Sequence, residues 1–233
     1  MPEPSAFKFG VAVEKLRRHR SPSINQISAK LIKAGEKTIR FETHKLINSS
    51  WNKEELPVEW KESIVIPTFK KGVKTDCSNY GGLLLLSITC KILSNIFFSR
   101  LTQYSEEIIG DRQCGFRHNT SITDHTFCIL QILEKNWITM KEHQVFIDFK
   151  KAYDSVREGI LCNNLIEYGI PMKLAKLIKM FLNETYSRVR VVKHLSDMFP
   201  IKNGLKKEMI YRHWFLTLFY SMPSGGFRDT RMA

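Results

Sequence analysis

The stretch FIDFKKAYDS, residues 146–155, carries residue types suited to metal-dependent phosphoryl transfer. Asp148 closes the apolar run Val145-Phe146-Ile147. Phe149, two lysines, Ala152, Tyr153 and a second carboxylate, Asp154, follow it. A carboxylate at the end of an apolar strand is costly unless something partners it. Hard cations such as Mg²⁺ take oxygen ligands from a few such carboxylates and from substrate phosphates. In-line phosphoryl transfer on two metals needs more than one aspartate converging on one point. Within this stretch Asp154 is the one other candidate. Taken alone, Asp148 also fits a surface carboxylate at a strand end, and Tyr153 a core aromatic.

A second candidate is FKKG, residues 69–72. Lys70 and Lys71 sit at a turn, where they either meet phosphate or form a solvated basic corner. Cys114, His118, His125 and Cys128 can be drawn as a zinc set, but there is no Cys-x-x-Cys, which disfavours a metal there.

These residues need elements to hold them. HQVFIDF reads as a short, almost wholly apolar strand, hence a central one. WKESIVIPTFKKG, residues 60–72, reads as a strand with a β-branched centre, Ile64-Val65-Ile66, then Pro67 and a basic turn ending at Gly72. Residues 11–20 read as a basic helix. After a turn at Pro22, Ile24, Ile27, Leu31 and Ile32 form an apolar face that Ile39, Leu46 and Ile47 continue. The most apolar stretch, GGLLLLSITCKILSNIFFSRL (81–101), reads as a buried helix. Lys91 and recurring Ser, Thr and Asn argue against a membrane span. A further helix follows the loop GDRQCGFRHNTSITDH. Thr120, Ser121 or Thr123 caps it, and Ile122, Phe127, Ile129, Leu130 and Leu133 form its buried face. Two helices broken at Gly169-Ile170-Pro171 precede the alternating strand SRVRVVK, and DMFPIKNG pairs back on it as a hairpin.

Charge points to a polyanionic partner. Thirty-six Lys and Arg against 23 Asp and Glu give a net +13 over 233 residues, spread along the chain. Phosphate neutralisation with counterion release favours nucleic acid over a merely basic protein. Five widely spaced cysteines, an odd number, read as reduced thiols. The first twenty residues lack an apolar core and cleavage pattern, so the expected location is intracellular, with no membrane partner.

The order of motifs resembles the reverse transcriptase domain of non-LTR (LINE-type) retrotransposons, from about residue 11 to Lys206. SPSINQISAKLIK looks like that family's N-terminal motif, and LPVEWKESIVIPTFKKG like its first finger motif. DCSNYGGLLLLS is similar to N-Y-R-x-I-S-L-L-S, and QCGFRHNTSITDH to the Q-x-G-F-R loop. FIDFKKAYDSV matches the first palm motif, and FPIKNGLK opens the second. The resemblance implies an α+β fold, the fingers and part of the palm of a right-hand polymerase. Residues 1–50 would be a helical lead-in, 51–143 the fingers, 144–206 a partial palm, and 207–233 an aberrant tail.

The implied activity is RNA-directed DNA synthesis from an RNA template, a DNA primer and deoxynucleoside triphosphates, with Mg²⁺. Asp148 would be the catalytic metal ligand and the Phe149 carbonyl its companion. Tyr153 would lie under the incoming sugar, Lys70 and Lys71 would serve the nucleotide, and Arg117 the template. Asp154 would be a structural neighbour. No protein partner is implied.

Two departures stand out. Gly81 occupies the position of an arginine that contacts the triphosphate. The chain also departs from the family after Lys206 and contains no Y-A-D-D hairpin, so the second half of the palm and the thumb are expected to be absent. Deleting one base in codons for K-Q-G-D yields Lys206-Lys207-Glu208-Met209, which makes a frameshift one origin for the tail. The expectation is an inactive polymerase fragment. The rival readings are a non-catalytic basic nucleic-acid-binding fragment and a functionless relic of a decayed element.

Overall fold

A computed structural model describes residues 1–16, 24, 29–35, 37–108, 121–137, 152–183, 185–201, 204–205 and 215–216. The architecture is α+β: helices packed on a mixed sheet. Helix α1 (Ala6–Glu14) is capped by Ser5, whose Oγ accepts from Lys8 N–H at 3.3 Å. It buries Phe9, Ala12 and Val13. Helices α2 (Ala29–Ala34) and α3 (Lys37–Lys53) follow. The buried face of α3 is Thr43, Ile47, Ser50 and Trp51. Ile32 and Ile47 are in the core, as their spacing predicts, but Leu31, Ile39 and Leu46 are 51%, 39% and 53% exposed. The apolar face expected for this region is therefore only half right, because α2 and α3 are separate helices with separate buried faces.

A one-turn helix, α4 (Val58–Lys61), leads into strand β1 (Glu62–Phe69), which pairs antiparallel with β2 (Tyr80–Leu85). The register runs from Ile64↔Leu85 to Phe69↔Tyr80. This corrects the reading of 81–101 as one helix. A short apolar run cannot be told from a buried helix by periodicity alone. Its partner decides: Leu83 and Leu84 face Ile66 and Val65 across the ladder. Helix α5 begins only at Ile88 and runs to Ile108. It is the hub of the core, with Ile92, Leu93, Ile96, Phe97 and Leu101 fully buried. Phe97 packs between Trp51 and Phe181, tilted against the first at a centroid distance of 5.8 Å and edge to face with the second at 5.7 Å. The buried Arg100 donates from Nη2 to the Pro2 carbonyl at 3.2 Å, and Asn95 donates to the Ala12 carbonyl at 2.9 Å. Both tie the first residues to this hub.

Helix α6 (Ile122–Trp137) starts where expected, and Ser121 Oγ accepts from Thr123 N–H at 3.1 Å. Its expected burial does not follow. Ile122, Phe127, Leu130 and Leu133 are between 40% and 67% exposed. The strand expected at HQVFIDF lies outside the described residues.

A 3₁₀ turn (Ala152–Ser155) precedes α7 (Glu158–Glu167) and α8 (Met172–Leu182). The break between them is a Schellman end. Gly169 takes φ +76, its N–H bonds the Ile166 carbonyl at 2.9 Å, and Ile170 N–H bonds that of Leu165 at 3.1 Å. Pro171 then caps α8. Leu174, Leu177, Ile178, Phe181 and Leu182 form the buried face of α8, each contributing about 1.5–3 kcal/mol.

Strand β3 (Thr185–Val191) returns to the sheet parallel to β1, from Glu62↔Tyr186 to Val65↔Val189. Buried Ser63 and Ser187 hydrogen-bond across that pair. β3 also pairs antiparallel with β4 (His194–Leu195) and β5 (Phe199–Ile201), the hairpin the alternation predicts. Among the described residues the strand order is β2-β1-β3-β4, with β5 also on β3. Strands from residues 51–143 and 144–206 thus share one sheet. Phe215, from the sequence beyond Lys206, is fully buried in the core.

Candidate nucleic-acid and nucleotide site

The described candidates fall into two groups. The first is the tip of the β1–β2 hairpin. β1 runs through Pro67 to Phe69 because its pairing with β3 ends at Val65, so the missing N–H of Pro67 lies beyond that ladder. Lys70 and Lys71 then emerge exposed. The loop behind them is tightly bonded. Lys70 N–H donates to the Asn79 carbonyl at 3.0 Å, Asn79 Nδ2 to the Val73 carbonyl at 3.0 Å, and Tyr80 Oη to the Lys74 carbonyl at 2.9 Å. Asp76 accepts from the N–H and the Oγ of Ser78, both at 2.8 Å, and these bonds hold its carboxyl below the usual range. Gly72 takes φ +96, and a Cβ there would lie 2.7 Å from Asn79 Nδ2.

This loop presents aromatic faces as well as charge. Phe69 and Tyr80 meet edge to face at 5.5 Å, and Lys74 Nζ lies 5.9 Å from the Phe69 ring centre. Gly81, which replaces the expected arginine, has a consequence that sequence reasoning missed. A Cβ on Gly81 would come within 2.9 Å of Lys70 Cε and 3.8 Å of Lys70 Nζ. The aliphatic stem of Lys70 therefore lies across the bare backbone of Gly81. A cation occupies the space over this residue, though it arrives from the neighbouring strand.

The second group is the turn holding Tyr153. Tyr153 is half-buried against the core, and Asp154 is exposed. Leu205 N–H donates to the Tyr153 carbonyl at 2.8 Å, and Gly204 N–H to that of Val156 at 2.9 Å. Gly204 takes φ +103, and a Cβ there would lie 3.1 Å from Asp154 Cα and 3.2 Å from the Tyr153 oxygen. The end of FIDFKKAYDSV and the start of NGLK thus join through backbone, with little space for a side chain at Gly204. The Asn-Gly pair signals a turn, but nothing in the sequence says what the turn rests against.

Asp148, Phe149 and Arg117 lie outside the described residues. Among the described residues no three His, Cys, Asp or Glu side chains gather to hold a metal ion. Cys77, Cys90, Cys128 and Cys162 are not disulfide-bonded. Among the described residues no helix is long and apolar enough to cross a membrane.

Comparison with known proteins gives a consistent result. A family model described as reverse transcriptase (RNA-dependent DNA polymerase) matches residues 70–207, more than half of the chain. A 115 kDa protein of the type-1 retrotransposable element R1DM of Drosophila melanogaster is 27% identical over 174 residues, covering 72% of this chain and 16% of that protein. A 149 kDa protein of the transposon TX1 of Xenopus laevis is 21% identical over 197 residues, covering 84% of this chain and 15% of that protein. The chain therefore spans about a sixth of the length of these relatives.

Proposed function

Since this chain belongs to the reverse transcriptase (RNA-dependent DNA polymerase) family, we propose that it is the fingers and first palm portion of a non-LTR retrotransposon polymerase, which binds template, primer and incoming nucleotide. The six ordered motifs and the likeness to proteins of two transposable elements support this origin. One observation carries the binding role: the bonded β1–β2 loop that presents Lys70 and Lys71 beside an aromatic pair. A loop fixed by its own hydrogen bonds presents its cations at little further entropic cost, and polyanion binding rewards that.

Within this reading the roles follow from chemistry. Lys70 and Lys71 neutralise triphosphate or template phosphate, with Lys70 supplying near Gly81 some of the charge an arginine would bring. An ammonium lacks the planar donor fork of a guanidinium, so it holds the phosphate as a point charge. Tyr153 lies under the incoming sugar and excludes a ribose 2′-hydroxyl by steric clash. Its carbonyl bond to Leu205 fixes the height of the turn that carries it. Arg117 steadies the template backbone. The family uses a divalent metal, for which Asp148 and the Phe149 carbonyl are the candidate ligands. When bound, Mg²⁺ would stabilise charge on the transferring phosphate.

These 233 residues contain no Tyr-Ala-Asp-Asp sequence. One carboxylate does not fix two metals, so this polypeptide by itself is expected to bind without turning over. Primer extension on an RNA template with Mg²⁺ tests that expectation. Nucleotide incorporation that Asp148→Asn abolishes would overturn it. Filter binding of RNA across a salt series tests the binding role itself. The reading requires a steep loss of affinity with salt and fails on a flat response.

A further inference from the structure

Strands β1 and β3 run parallel, so their C-terminal ends emerge at the same end of the sheet. β1 turns there through Lys70, Lys71 and Lys74. β3 turns there through Val192 and Lys193 into β4, in the register Val191↔His194 and Arg190↔Leu195. The pairing of the two strands ends at Val65↔Val189, two residues before β3 ends and four before β1 ends. The two hairpins therefore leave the same end of the sheet from neighbouring strands, which lie about 4.8 Å apart where they are last paired.

Their chemistry matches. Lys70, Lys71, Lys74, Arg190, Lys193 and His194 are all exposed. Among the described residues, the acids in the loops of these two hairpins are Asp76, engaged by Ser78, and Asp197. Glu62 is paired with Arg188 at 3.2 Å, back toward the base of the sheet. The second tip also displays apolar surface: Val191 is 55% and Val192 87% exposed. Val192 holds φ +55, an unfavourable conformation for a β-branched residue. Ser196 clamps the hairpin just behind it, accepting at Oγ from Val189 N–H and donating its own N–H to the Val189 carbonyl, both at 2.9 Å. A strained valine held out in solvent gains nothing from packing, and such strain concentrates where a surface is used.

We propose that the β3–β4 tip is a second nucleic-acid contact. Together with the β1–β2 tip it clamps one single strand of RNA or DNA across the end of the sheet. Cations on both tips meet phosphates, while Phe69, Tyr80 and the two valines meet bases. This is the mix of charged groove and stacking surface by which single strands are held. The inference rests on the nucleic-acid reading of the β1–β2 tip.

The experiment is fluorescence anisotropy with a labelled oligouridine over a salt series. It compares the parent chain, Arg190→Ala with Lys193→Ala, and Lys70→Ala with Lys71→Ala. All four side chains are exposed, so circular dichroism melting should be unchanged and folding is controlled for. Each double variant is expected to weaken binding roughly 5- to 20-fold at low salt. Each should also lower the slope of log K against log salt by about 1.4, or about 0.7 per lost phosphate contact. If only the Lys70 and Lys71 pair matters, the second tip is no contact and the proposal fails while the polymerase reading stands. If neither pair matters, or the parent does not bind, both fail. Unchanged RNA binding with altered self-association of the Arg190 and Lys193 variant would reassign this tip to protein contact and overturn the proposal.

Discussion

Leu205 donates its backbone N–H to the Tyr153 carbonyl at 2.8 Å, closing the turn of one polymerase motif against the start of the next. Gly204 makes this possible. It holds φ +103, and any Cβ would press on the backbone of Asp154 at 3.1 Å. Backbone cannot swing aside as a long side chain can. Gly204→Ala is therefore expected to cost about 2 kcal/mol, from left-handed strain and displacement of the Tyr153 turn. Urea unfolding reads this directly. An unchanged midpoint would mean that the two segments do not meet at this glycine.

Val192 offers the opposite sign. Its left-handed conformation costs a β-branched residue about 1–2 kcal/mol, and its 87% exposure means that little packing is lost on replacement. Asparagine tolerates this conformation. Val192→Asn should stabilise the chain by about 0.5–1 kcal/mol, or roughly 2–4 °C in Tm for a full kcal/mol in a domain of this size. A lower Tm would contradict the turn geometry.

Cys162 supplies a pH test. Burial pushes its thiol up from 9.0 to about 11, Lys179 opposing the shift and Glu158 adding to it. The unfolded chain then loses this proton first as pH rises. The contribution to stability is full below about pH 9 and is lost progressively as pH climbs to about 11. Denaturant midpoints taken across that window should fall for the parent more than for Cys162→Ala. The same shift keeps the thiol protonated near neutrality. Alkylation of Cys162 in the native state should accordingly lag far behind that of the exposed Cys77. Equal labelling rates would refute the burial.

Elements with their own local signals are legible in the sequence. The Gly169-Ile170-Pro171 break is one, because glycine and proline dictate backbone by themselves. The alternating SRVRVVK and the β-branched Ile64-Val65-Ile66 are legible as strands for the same kind of local reason. GGLLLLS is not, because four leucines satisfy helix and strand alike until a partner is known. Leu31, Ile39 and Leu46 mislead because an apolar residue need not be inside, and separate helices do not share one face.

The candidate site divides along the same line. Sequence alone determined the family, through motif order and residue types, and with them a net charge of +13, all carried by identity and spacing. It offered Lys70, Lys71 and Tyr153 as candidates. It did not reveal that the stem of Lys70 covers Gly81, that Gly204 braces the Tyr153 turn, or that two basic tips leave the sheet at one end. Those relations join residues far apart in the chain. They depend on the parallel register of β1 with β3 and on close backbone approach, and no local preference encodes either. Only the packed tertiary structure decided them.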